Sequence, residues 1–206
     1  MTAQAESGPA QGGVTVAIMA GGKSSRMGAD KSFVPLLGRR MIEHVYGRLA
    51  GLGAETMVIT NRPEAYAFLG LPLYSDVTPD AGPLGGLYTA LLRASQPHLL
   101  IVACDMPWLC RDLLAHQIGL RHTADVIAPR WETHPEPLHA VYSRACLGPI
   151  ESCLAARQLK MTAFYGRVRL RLLDRAEIAV YDPLGRSFAN INTPEELAAA
   201  EEGQAE

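Results

Sequence analysis

Short apolar runs alternate with amphipathic segments along this 206-residue chain, and that alternation limits the possible folds more than any other feature. VTVAIMA (Val14 to Ala20) is β-branched at its start and stops at a glycine pair, the pattern of a buried strand. ETMVITN (Glu55 to Asn61), HLLIVACD (His98 to Asp105) and ADVIAPR (Ala124 to Arg130) read the same way. Between the first two, Met41 to Leu52 sets Ile42, Val45, Leu49 and Leu52 on one helical face. Further helices are expected over Leu84 to Ala94, Cys110 to Leu120 and Arg144 to Arg157. Strands separated by helices of this length need crossover connections. The expected fold is therefore α/β: a single-domain, three-layer α/β/α sandwich on a mostly parallel sheet, with right-handed crossovers.

A hydrophobic fraction of 48% over 206 residues supplies one well-buried core and not two. The expected limits are a disordered leader over residues 1–13, one domain over 14–200 and a flexible tail over 201–206. The leader MTAQAESGPAQGG has neither a basic start nor an apolar stretch, so it does not read as a signal peptide. No apolar run is long enough to span a bilayer. A net charge of -2 offers no basic field for a nucleic-acid backbone. The four cysteines, Cys104, Cys110, Cys146 and Cys153, form no C-x-x-C pair and read as reduced residues of a cytoplasmic protein.

In open parallel sheets, ligands bind beyond the carboxyl ends of the strands. Here those ends are polar or glycine-rich. The first runs into Gly21-Gly22-Lys23-Ser24-Ser25-Arg26-Met27-Gly28, the second stops at Asn61, a third stretch stops at Asp76, and the most apolar run stops at Asp105. "GKS" suggests a P-loop, but the first glycine of that motif would fall at Ala17, inside the strand. A longer loop remains, with glycine amides at its start and Arg26 and Lys31 beyond them. Glycines let a backbone approach phosphate, an arginine fork pairs with oxygens, and a lysine adds a point charge. On these residues alone, a plain turn with solvated Arg26 and Lys31 remains an alternative.

The pieces "MAGGKSSRMGADK", "ITN", "SDVTPDAGPLGGLYTAL", "VACDMPWL", "PLHAVYS" and "FANINTPEEL" follow one another in an order that resembles the molybdenum cofactor guanylyltransferases. These are nucleotidyltransferases on a Rossmann-like, nucleotide-diphospho-sugar transferase-like fold. The likeness runs from Val14 to Ala200 and is poorest at Trp131 to Pro137 and Lys160 to Asp182. It implies transfer of GMP from GTP to the terminal phosphate of a molybdopterin-type cofactor, with pyrophosphate released. It also implies that Met19, Ala20 and Gly21 present backbone to the nucleotide, and that Gly22 belongs to the same site through a Gly-Gly turn that goes with guanine. Lys31 would contact phosphates with Arg26 beside it, Asn61 and Asp76 would belong to the nucleotide site, and Asp105 would bind Mg²⁺. Gly82, with the other small residues of "AGPLGG", would close the base pocket, although an ordinary loop-to-helix turn explains those glycines about as well. Asn190 and Asn192 would touch the pterin end of the acceptor. The attacking phosphate is already ionised at pH 7, so positioning and charge neutralisation suffice without a general base.

Possible macromolecular partners are molybdoenzyme apoproteins or cofactor chaperones. The alternatives on the same fold are a molybdopterin cytidylyltransferase and a sugar-phosphate nucleotidyltransferase. Outside enzymes, the alternative is a nucleotide-binding adaptor that delivers the cofactor. Thr193, Pro194 and Glu196 mark a C-terminal helix start, by N-cap, first-turn proline and capping box. Asp80 and His134 read as solvated loop residues, and His139 as a satisfied core histidine.

Overall fold

The computed structural model describes residues 13–21, 31–191, 193 and 195–198. Residues 1–12 of the expected leader and the whole of the expected tail therefore lie outside the described residues, as do Gly22, Arg26, Asn192 and Pro194.

In chain order the elements are β1 (Val14–Met19), β2 (Pro35–Leu36), β3 (Arg39–Arg40), α1 (Met41–Leu49), β4 (Glu55–Ile59), α2 (Pro63–Tyr66) and β5 (Leu73–Tyr74). They continue with α3 (Gly82–Arg93), β6 (His98–Ala103), α4 (Arg111–Gly119), β7 (Val126–Pro129), β8 (His139–Ser143), α5 (Leu147–Ala155), β9 (Leu170–Leu173) and α6 (Arg175–Ala179). A seven-stranded sheet runs β5-β4-β1-β6-β8-β7-β9, and β2 and β3 form a separate hairpin. Every pairing in the large sheet is parallel except those made by β8.

The mostly parallel sheet agrees with the alternation of the sequence. The apolar character of β1 has a direct cause: both faces of the strand are covered. Val14, Val16 and Ile18 belong to one core cluster, which includes Ile42, Val45 and Leu49 of α1 and Leu113, Leu114 and Ile118 of α4. Ala17 points the other way, into a cluster with Leu84, Leu87 and Leu91 of α3 and Ile150 of α5. The period of two thus divides one strand between two helical layers.

The expected strands and helices all form, with ends that shift by a few residues. The last turn expected for α1 is lost, because the helix stops at Leu49 ahead of Gly51, whose φ is +75°. Residues Arg144–Cys146 form a 3-10 turn before α5 begins. At the C-terminus the capping box is present. Glu196 N donates to Thr193 Oγ1 at 3.1 Å, and Thr193 N donates to Glu196 Oε2 at 3.1 Å.

Beyond the four expected strands and the stretch ending at Asp76, which forms β5, the chain has the β2–β3 hairpin and two further strands of the large sheet, β8 and β9. β8 returns antiparallel because no helix separates Pro129 from His139, so the chain has no crossover with which to enter in parallel. β5 and β9 are the two edges of the sheet. An edge strand can be short or carry charge, and the run Leu170-Arg171-Leu172-Leu173 does so.

Gly185 pins the region past α6. Its φ is +63°, and a Cβ there would lie 2.2 Å from Trp131 Cε2. The Trp131 ring stacks on Phe188 at 5.7 Å and carries the Arg175 guanidinium 4.6 Å from its centroid. Gly185→Ala should cost about 2 kcal/mol, from the left-handed backbone and the ring collision together. A thermal midpoint roughly 5 °C below wild type is the expected reading, and an unchanged midpoint would show that the segment repacks freely.

Candidate active site

The register of the sheet builds the site. Met19 of β1 pairs with Ile59 of β4 and with Ala103 of β6. Ile59 in turn pairs with Tyr74 of β5. Two residues past each of these four stand Gly21, Asn61, Asp105 and Asp76. Four polar or glycine positions that are far apart in sequence thus follow one matched row, at the carboxyl ends of four adjacent parallel strands. Strand spacing makes that row roughly 14 Å long. Backbone bonds continue past the strands and hold it: Ala20 N donates to Ile59 O at 2.9 Å, Thr60 N to Tyr74 O at 2.8 Å, and Cys104 N to Met19 O at 3.1 Å.

Asn61 and Asp76 grip each other. Asn61 Nδ2 donates to Asp76 Oδ2 at 3.1 Å, and Asp76 N donates to Asn61 Oδ1 at 3.0 Å. Burial pushes the Asp76 carboxyl above its ordinary range, and the Asn61 amide offsets part of that. The loop that follows is tied to α3 through Thr89. Its hydroxyl accepts from Val77 N at 3.0 Å and donates to Gly85 O, one helical turn back, at 2.9 Å.

Gly86 lets α3 approach β1. A Cβ at Gly86 would lie 2.1 Å from Met19 Cε and 3.5 Å from Asp76 Oδ1, so the tip of Met19 occupies the space that glycine leaves. Gly82 sits at φ +59° with no atom of the described residues within 4 Å of its would-be Cβ. The turn therefore requires a glycine at position 82 for its backbone. Gly21 likewise has nothing among the described residues within 4 Å of where a side chain would begin.

On the other side of β1, Lys31 Nζ lies 4.0 Å from Asp105 Oδ2, an ion pair without a direct hydrogen bond. Their side chains are 16% and 23% exposed. Burial raises the Asp105 carboxyl above the usual carboxylate range, and the Lys31 ammonium pulls it partway back. A carboxylate disfavoured in this way gains from a cation. Asp105 is not the cap of α4, whose N-cap position is Cys110. The neighbouring Cys104 thiol is pushed up to about 11, chiefly by burial, so it stays protonated and is no nucleophile at neutral pH.

The C-terminal segment reaches the same rim. Asp182 accepts from Arg186 N at 3.0 Å and Ser187 N at 2.8 Å, and Ser187 Oγ accepts from Cys110 N at 2.8 Å. Ile191 N then donates to Asp105 O at 3.2 Å, which carries the exposed Asn190 alongside the Asp105 loop.

Ala17 lies wholly buried within β1, in agreement with the exclusion of a P-loop beginning there. One expectation changes. His139 is buried, but it is not satisfied: neither ring nitrogen has a hydrogen-bond partner among the described residues. Burial holds its pKa down at about 4, so it stays neutral. Thr89 and Ser32 escaped the sequence reading. A threonine in mid-helix bonding to the residue four back was a readable signal, whereas nothing in the sequence distinguishes Ser32 from its neighbours.

Among the described residues there is no group of three or more His, Cys, Asp or Glu placed to hold a metal, and no helix is long and apolar enough to cross a membrane.

Residues 16–170 match the family described as MobA-like NTP transferase domain. A protein of Pelotomaculum thermopropionicum named probable molybdenum cofactor guanylyltransferase is 36% identical over 186 residues, covering 90% of this chain and 91% of that one. A molybdenum cofactor guanylyltransferase of Desulfosudis oleivorans is 36% identical over 190 residues, 91% of this chain and 94% of its own. Among solved structures, the molybdopterin-guanine dinucleotide biosynthesis protein A of Archaeoglobus fulgidus superposes with a TM-score of 0.80 at 25% identity, covering 93% of this chain and 98% of that one. The 4-diphosphocytidyl-2C-methyl-D-erythritol synthase of Anaerococcus prevotii, at 9% identity and a TM-score of 0.70 over 95% of this chain and 100% of its own, shares the fold alone.

Proposed function

This chain belongs to the MobA-like NTP transferases and, among them, to the molybdenum cofactor guanylyltransferases, and we propose that it transfers GMP from GTP to the terminal phosphate of a molybdopterin-type cofactor. The observation that carries the reading is the single row Asp76, Asn61, Gly21 and Asp105, set by strand register.

In this reading the nucleotide lies along the row. The base end faces Asn61, Asp76 and the α3 turn, where Gly82 sets the backbone and Gly86 admits the tip of Met19, and the phosphates lie by Gly21, Lys31 and Asp105. An acceptor phosphate oxygen forms the new bond to the α-phosphorus, the bond from that phosphorus to the bridging oxygen breaks, and pyrophosphate leaves with the electron pair. The acceptor oxygen is anionic before it attacks, so no protein group has to remove a proton. Lys31 neutralises charge on the phosphates, and Asp105 fits a divalent cation. Its carboxyl is half-buried and held above its ordinary range, at a rim where the described residues supply few other ligands. Mg²⁺ suits such a sparse site, because one or two carboxylates and the substrate's own phosphates hold it. When bound it would supply neutralisation of the developing charge. Asn190, on the strap joined to Asp105, is assigned to the acceptor. The four cysteines are all free thiols, in keeping with work in the cytoplasm.

Pyrophosphate release from GTP, CTP, ATP and UTP, each with Mg²⁺ and a molybdopterin source, tests the reading. GTP should be preferred by roughly tenfold or more, the worth of one well-placed polar contact to the base. Equal use of CTP would move the chain to cytidylyl transfer. Release from no nucleotide would leave a binding protein.

A further inference from the structure

Lys31 and Ser32 face Asp105 and Cys104 as adjacent residues meeting adjacent residues. While Lys31 Nζ stands 4.0 Å from Asp105 Oδ2, the Ser32 hydroxyl donates to Cys104 Sγ at 3.1 Å. The same hydroxyl accepts from Tyr66 OH at 2.9 Å. Both Ser32 and Tyr66 are wholly buried. The 3-10 turn Lys31–Phe33 is thereby fastened to two places at once: to the end of β6 through Cys104, and to α2, just past β4, through Tyr66. Those are the two strands that flank β1. Phe33 reinforces the link, its ring centroid 4.9 Å from that of Tyr66.

We propose that Ser32 is a positioning residue. Its hydroxyl, held between Tyr66 and Cys104, fixes the turn that aims Lys31 at the phosphate end of the site beside Asp105. The proposal rests on the reading of Lys31 as a phosphate contact. The physical case is that a lysine side chain is long and loosely constrained, so its usefulness depends on where its backbone is anchored. An anchor one residue away, bonded to the residue beside Asp105, places cation and carboxylate by a single short path. A buried hydroxyl with both a donor and an acceptor bond is also costly to leave half made, which keeps the turn in one place.

The test is a cycle of four proteins: wild type, Ser32→Ala, Lys31→Ala and the double variant. GTP affinity is measured by calorimetry with Mg²⁺ present, and the thermal midpoint is measured for each. Ser32→Ala should weaken GTP binding about tenfold in the wild-type background. In the Lys31→Ala background the same change should alter affinity by no more than about twofold, because residues that act through one contact are not additive. Tyr66→Phe keeps the ring and removes only the hydroxyl that Ser32 accepts from. It should show a smaller loss of the same kind with its midpoint near wild type, and it stands in if Ser32→Ala fails to fold.

Losses that add fully across the cycle, or a loss in Tyr66→Phe that persists without Lys31, would make Ser32 a packing residue and overturn the proposal alone. A Lys31→Ala protein that binds GTP as wild type does would overturn the phosphate reading of Lys31, and this proposal with it.

Discussion

Asp105→Asn should keep the fold and lose about a hundredfold or more of the rate of pyrophosphate release from GTP. Asparagine is nearly isosteric with aspartate, so the packing at the end of β6 survives, and the backbone bond from Ile191 N to Asp105 O does not involve the side chain. What is lost is the charge that would hold a divalent cation and help organise the phosphates. The stability consequence runs against intuition. Burial holds the folded carboxyl above its ordinary pKa, in spite of Lys31. Between the unfolded value and that raised one, the native state binds the larger share of the proton. Stability therefore falls as pH rises through the interval, and above it the ionised group costs stability. An uncharged amide avoids that cost. The thermal midpoint of the variant at neutral pH should equal or exceed that of wild type, and the difference should shrink below the ordinary carboxylate range. A variant that is active, or one that is inactive only because it melts early, would remove Asp105 from the chemistry. Loss of a helix cap cannot explain such a result, because α4 begins at Arg111 with Cys110 at its N-cap.

How far the sequence reveals this site depends on where the constraint resides. The central strands were legible because both faces of β1, β4 and β6 are covered, so burial is written as mainly apolar runs. Their polar ends were legible for the same reason: Asn61 and Asp105 stand out only because what precedes them is so apolar. The edges were less so. β5 is two residues long and showed only through the polar end of its stretch at Asp76, and β9 interleaves arginine with leucine, so neither carries a strand's period. β8 has the period but sits in the sheet against the trend, and its direction follows from the lack of a helix between it and β7.

Register lay further out of reach. The sequence places four polar positions at strand ends, but only the pairing of Met19 with Ile59 and Ala103, and of Ile59 with Tyr74, brings them level. The side-chain clasps were also silent. Asn61 and Asp76 are reciprocal partners, and Ser32 is the middle link between Tyr66 and Cys104. Such pairs leave no local pattern, since each bond joins residues distant in sequence. His139 shows the opposite failure. Its burial was expected from the apolar run around it, but the lack of partners for its ring nitrogens among the described residues was not.

Lys31→Ala should weaken GTP binding by about ten- to a hundredfold, the range expected when a charge-assisted contact is removed. The larger diagnostic is its pH dependence. The Lys31 ammonium lowers the pKa of Asp105 against the opposing effect of burial. Without it, the carboxyl rises further. Cation-assisted binding of GTP needs Asp105 ionised, so binding is lost as pH falls through the folded pKa of that group. Removing Lys31 must then move the acid limb of the binding curve to higher pH, in addition to lowering its plateau. Lys31→Arg retains the positive charge, and its acid limb should stay near that of wild type even if its plateau drops because the guanidinium fits less well. Titrating GTP with Mg²⁺ at a series of pH values separates the two effects. A plateau loss with an unmoved limb would mean that Lys31 contacts phosphate but does not influence Asp105, and the 4.0 Å pair would be incidental. An unchanged plateau and an unchanged limb would make Lys31 a surface lysine, and the phosphate end of the row would have to be sought elsewhere on the rim.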